Sequence, residues 1–122
     1  MVNFDFKNLL VWQKSISFTK DIITLTNNFD THNNHFRLIE NLESAASSIS
    51  NNIAEGKGRN SQKEFRQYLY IARGSLFEVV SLLNLIEQLG WISKQVLNKL
   101  ESEAVEIGKM LNGLIKSIKI TI

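Results

Sequence analysis

Five basic residues, Lys57, Arg59, Lys63, Arg66 and Arg73, fall between positions 56 and 73 with one acid, Glu64, among them. If this stretch is helical, Lys63, Arg66, Tyr70 and Arg73 share a stripe about 80° wide at 100° per residue. Bases ringing a tyrosine suit a nucleic-acid backbone with one base stacked on the phenol ring. The same spacing also describes an ordinary solvated helix face. Lys57 and Arg59 precede the helix and would extend the stripe to its N-terminus, where unpaired backbone N–H groups and the helix dipole favour phosphate.

Other chemistry has less behind it. His32 and His35 are three apart in a polar loop and could put two imidazoles near one metal, but no carboxylate or third histidine completes a site at helical spacing. With no histidine after position 35, the paired Glu-x-x-His motifs of a di-iron bundle cannot form. The chain has no cysteine, which removes disulfides, thiolate zinc sites and cysteine nucleophiles. Gly56-x-Gly58 is too short for a dinucleotide fingerprint, and there is no P-loop. The expectation is a protein that is not an enzyme, with no catalytic residue, no metal and no cofactor.

The elements that must position the basic stripe read clearly. The 122 residues suit one domain, 1–122, and the absence of proline suits long helices. Neither a signal sequence nor a run of about 18 consecutive apolar residues is present, so a cytoplasmic protein that meets no membrane is expected. The net charge of +2 is uneven: residues 1–55 sum to −2, residues 56–73 to +4 and residues 74–122 to zero. Apolar periodicity predicts helices over 9–28, 35–55, 61–89 and 93–118. Trp12, Ile16, Thr19, Ile22, Ile23, Leu25 and Phe29 are the expected apolar set of the first. Leu38, Leu42, Ala45, Ala46, Ile49 and Ile53 line the second, where small residues 44–48 invite close helix approach. Gly56 and Gly58 are expected to end it in the left-handed conformation.

Ser61-x-x-Glu64 has capping-box spacing at the start of the third helix, Gly90 closes it, and Ser93 suits the N-cap of the fourth. The third helix carries Phe65, Leu69, Ala72, Leu76, Val79, Leu83 and Ile86 toward a core. The short terminal run 118–122 reads as a frayed helix end. Four such helices joined by short loops predict an all-α, antiparallel up-down-up-down four-helix bundle. A second stripe on the third helix, Glu64, Tyr68, Ile71, Ser75 and Glu78, belongs neither to the core nor to the basic set. It is either a subunit interface or the edge of a wide core face.

The runs Asn8-Leu9-Leu10-Val11-Trp12-Gln13-Lys14, Ser48 to Phe65 with Asn52-Ile53-Ala54-Glu55-Gly56-Lys57-Gly58-Arg59, and Ile71 to Glu78 resemble the bacterial four-helix-bundle proteins encoded in 23S ribosomal RNA intervening sequences. Leu89-Gly90-Trp91-Ile92 extends the resemblance, which covers nearly the whole chain. It implies a ring-shaped homopentamer. It also implies kinship with the accessory variability determinants of diversity-generating retroelements, whose basic surface engages nucleic acid and a reverse transcriptase. On that analogy Lys57, Arg59, Lys63, Arg66 and Arg73 contact nucleic acid such as ribosomal RNA, while Glu55, Glu64, Ser75 and Glu78 cap helices or bond across an interface. The sequence departs from the family at Asn41-Leu42-Glu43-Ser44-Ala45-Ala46, where two usual arginines are missing and an acid is gained, and at Ser50, where proline is common. An oligomeric adaptor that meets an acidic protein is the alternative reading.

Overall fold

The computed structural model describes residues 2–30 and 34–120; His32, the loop histidine weighed against a metal role with His35, lies outside the described residues, as do the last two positions of the terminal run read as a frayed helix end. After a 3₁₀ turn at Asp5–Asn8 come four helices, α1 (Leu10–Thr26), α2 (Phe36–Lys57), α3 (Gln62–Gln88) and α4 (Lys94–Ser117), with no strand among the described residues. The predicted helix boundaries hold to within two residues at each end; the 3₁₀ turn was not predicted.

The stop and start signals act largely as their chemistry requires. Ser61 Oγ accepts from the Glu64 backbone N–H at 3.1 Å, and Ser93 Oγ from that of Val96 at 3.1 Å. Gly90, at φ 81°, lets the Gly90 N–H reach Glu87 O at 2.9 Å and the Trp91 N–H reach Ile86 O at 3.1 Å, the paired bonds of a Schellman ending. The other glycine ending differs from expectation. Gly56 lies inside α2 and Gly58 has φ −80°, so neither is left-handed. Gly56 is needed for space: a Cβ there would lie 2.5 Å from Tyr68 Cβ and 3.1 Å from Phe65 Cδ1.

Each helix buries one stripe in a shared core. Ile22, Leu42, Ile49, Ile53, Leu69, Leu83, Ile86, Leu97, Ile107 and Leu111 are almost fully buried in it. Sequence neighbours pack on each other, most extensively α2 on α3, and α1 closes on α4 through the smallest of these contacts. The phase of α1 corrects the sequence reading. Val11, Ser15, Phe18, Thr19, Ile22 and Thr26 are buried, whereas Ile16 and Ile23 are exposed. Ser15 and Thr19 tolerate the core because their hydroxyls bond carbonyls: Ser15 to Val11 O at 2.7 Å, Thr19 to Ser15 O at 2.9 Å and to Ala46 O at 3.0 Å. That last bond crosses from α1 to the backbone of α2 at the small residues, so the expected close approach occurs there.

α3 is long and apolar enough to pass as a membrane span on length and composition, with a window of mean hydropathy 1.5. Its apolarity is spread round the helix. Phe65, Leu69, Ala72, Leu76, Val79, Leu83 and Ile86 are buried within the bundle, Ile71 and Leu85 with the C-cap residue Leu89 form one exposed row, and Phe77 is exposed on another side.

Candidate nucleic-acid interface

The six residues proposed for nucleic-acid contact divide into two groups. Lys63, Arg66, Tyr70 and Arg73 lie along α3, with Lys63 and Tyr70 exposed and the two arginines half-buried. Arg73 places its guanidinium 4.8 Å from the Tyr70 ring centroid and donates to Asn112 Oδ1 on α4 at 2.9 Å. Among the described residues neither Lys63 nor Arg66 is paired with an acid. Their charge is therefore available to a ligand, and Arg73 is held in place beside the tyrosine.

Lys57 and Arg59 turn elsewhere. Lys57 Nζ lies 5.7 Å from the Phe65 ring centroid. Arg59 donates to Glu55 Oε1 at 2.9 Å and to the Tyr68 hydroxyl, its guanidinium 4.9 Å from the Tyr68 ring, and the Tyr68 hydroxyl donates to the same Glu55 oxygen at 3.3 Å. The Glu55 hydrogen bond, followed by the attraction of Tyr68, raises the Arg59 pKa above its ordinary value. Arg59 thus clasps the α2–α3 turn, and its charge is already met within the chain.

The second α3 stripe also divides. Tyr68 belongs to this clasp, and Ser75 shares a 2.9 Å hydrogen bond with Ser48 of α2, whose hydroxyl also accepts from Asn52 Nδ2 at 2.9 Å. Glu64 supplies the capped N–H at the start of α3. Only Ile71 and Glu78 are fully outward, and with Leu85 and Leu89 they form an exposed row on one side of α3. The sequence reading assigned neither Leu85 nor Leu89 to an exposed stripe. Nor did it assign Phe77, 71% exposed on the same face as Tyr70; spacing alone identifies it, since residues seven apart return to nearly the same angle.

The histidine idea finds a different role for His35. It caps α2 at φ 67° and packs against Trp91, ring centroids 5.0 Å apart, with Phe29 on the same indole at 5.7 Å. Among the described residues no group of three histidines or carboxylates could hold a metal ion.

One titratable group is out of balance. Glu103 Oε2 is buried without a hydrogen bond, beside a cavity of about 140 Å³ that Lys14, Ser17 and Glu106 also line. Burial first, then Asp21 and Glu106, raise its pKa, against Lys99 and Lys14. A carboxyl raised on folding lowers stability above its folded pKa and returns it as the pH falls through that value. Glu103→Gln should therefore raise the melting temperature at neutral pH. Solvent screening keeps the gain small, and it should vanish near pH 4, about where unfolded glutamate protonates. Thermal unfolding across that pH range reads both features.

The family described as 23S rRNA-intervening sequence protein matches residues 7–113. The chain belongs to that family. Among solved structures, a protein of unknown function from the S23 ribosomal protein family of Bacteroides thetaiotaomicron is similar to it, with 25% identity and a TM-score of 0.82 over 88% of this chain and 96% of that one. No curated protein matches the chain. Within the 23S rRNA-intervening sequence family, this member carries on α3 two cations, Lys63 and Arg66, with no acidic partner among the described residues, whereas Arg59 and Tyr68 tie α2 to α3.

Proposed function

We propose that the protein is a non-enzymatic, cytoplasmic RNA-binding bundle that engages structured RNA, or an RNA–protein complex, through Lys63, Arg66, Tyr70 and Arg73. The observation that carries this reading is that Lys63 and Arg66, on a half-exposed helix face beside an aromatic ring, have no acidic partner among the described residues. Unpaired cations release counterions from nucleic acid when they meet phosphates, and that release supplies sequence-independent affinity. The name of the family ties it to 23S rRNA, which makes a ribosomal RNA helix the first ligand to test. A reverse transcriptase, by the family analogy, is a further partner to try.

The assembly we propose is a ring of antiparallel up-down-up-down bundles, five to the ring. Its support is the exposed apolar row Ile71, Leu85 and Leu89, which an isolated bundle would leave in water. Sedimentation of the purified protein reads the subunit number directly.

Titration of a labelled ribosomal RNA helix at several salt concentrations tests the binding. The expected result is affinity that falls linearly in log–log form with salt. No binding at low salt, together with a protein partner that survives nuclease treatment in a pull-down, would instead establish the adaptor.

A further inference from the structure

The basic face of α3 continues into a groove between α3 and α4. Phe77 is 71% exposed there and Val105, across from it on α4, is 56% exposed; with Val80 and Gly108 they line a cavity of about 350 Å³. The exposed Phe77 and Val105 side chains facing one cavity form an apolar surface wide enough for a planar ring, and no side chain of the described residues fills it.

The rim of the groove is polar and basic where it meets the stripe. Arg73 reaches over the α3–α4 seam to Asn112, and since its guanidinium occupies the Asn112 Oδ1, the asparagine amide nitrogen is left as a donor. Lys109, three residues before Asn112, lines the groove without an acidic partner among the described residues. The acid at the groove, Glu101, accepts from Asn84 Nδ2 at 2.6 Å and is thereby held by α3. Tyr70 and Phe77 are seven residues apart, about 10 Å along the helix, with Arg73 between them.

We infer that the α3–α4 groove receives an unpaired nucleobase, stacked on Phe77, while Arg73 and Lys109 hold the flanking phosphates and Tyr70 offers a second stacking surface. This rests on the nucleic-acid reading above and narrows it: the ligand is a single-stranded loop or end of a structured RNA, not its paired stem. An aromatic side chain stacks any base through its face, and a base can reach Phe77 only when it is out of the helix stack. A continuous duplex would meet the basic stripe through phosphates alone and leave the groove empty. The row Ile71, Leu85 and Leu89, offered above for assembly, lies roughly 80° to 120° round α3 from Phe77, so the two uses do not compete for one face.

The test compares a fluorescently labelled RNA hairpin bearing an oligouridine loop with a blunt duplex of the same stem, by anisotropy at low salt. Light scattering on each protein sample reports its mass. The wild type should prefer the looped hairpin. Phe77→Ala should weaken the hairpin about tenfold while leaving the duplex within about twofold. Phe77→Trp should keep the hairpin affinity, and its added indole emission should be quenched when the hairpin binds. Equal binding of hairpin and duplex, untouched by Phe77→Ala, would overturn the groove assignment and leave the nucleic-acid reading intact. Failure of the wild type to bind either RNA would remove both. A lower mass for Phe77→Ala in the absence of RNA would show that a second copy of the chain covers the groove, and the inference would fall.

Discussion

Replacing Gly56 with alanine should destabilise the protein by about 1–3 kcal/mol, although alanine is the better helix former by up to about 1 kcal/mol. The reason is geometric. The new methyl would sit 2.5 Å from Tyr68 Cβ, an atom fixed to the α3 backbone, so no side-chain rotation can clear it. α2 and α3 must separate, and they share the most extensive helix contact in the fold. Separation there disturbs the core beneath it, since Phe65 Cδ1 is 3.1 Å from the same point, and it pulls Tyr68 away from Glu55 and Arg59. For a domain of this size the loss corresponds to a melting temperature lower by about 4–12 °C. Gly74→Ala is the matched control. A Cβ at Gly74 in α3 meets nothing within 4 Å, so the substitution should add about 0.5–1 kcal/mol. Thermal or urea unfolding of the two variants side by side gives opposite signs if close approach is the cause. Two shifts of the same sign would refute it.

Gly56 also marks the boundary of what the sequence makes legible. Helix limits were readable because they depend on local chemistry: Ser61 and Ser93 bond their own first turns, and Gly90 supplies the one conformation that a Schellman ending requires. The basic stripe was readable because helical period converts spacing into angle without reference to any neighbour. Gly56 looked like another helix ending, and the reason for it lies nine and twelve residues on, in Phe65 and Tyr68, where α3 crosses. The direction of Arg59 was illegible for the same reason: it is fixed by Glu55 and Tyr68, which only the folded α2–α3 turn brings together. In α1 the pattern of large apolar residues pointed to Ile16 and Ile23. The helix is rotated because Ser15 and Thr19 satisfy their own hydroxyls on carbonyls, which lets small side chains face α2 at close range. Phe77 was overlooked because attention to charge passed over an apolar residue that shares the face of Tyr70.

The remaining large effect concerns RNA affinity and separates the two halves of the basic set. Lys63→Ala combined with Arg66→Ala removes two cations that have no acidic partner among the described residues, so their full phosphate contribution is lost. The slope of log affinity against log salt should become shallower by about 2, since each phosphate contact contributes about 0.9. At 0.1 M salt that slope corresponds to a loss of about 60-fold. Arg59→Ala should behave differently. Its charge is met by Glu55 through a hydrogen bond and its guanidinium rests on Tyr68, so its removal should leave the salt slope nearly unchanged and should instead loosen the α2–α3 turn. A salt titration of a labelled ribosomal RNA helix against the three proteins decides between them. If Arg59→Ala flattens the slope as much as the double variant does, the clasp opens on binding and all six residues form one surface. If the double variant leaves the slope untouched, the α3 face is not where the phosphates lie.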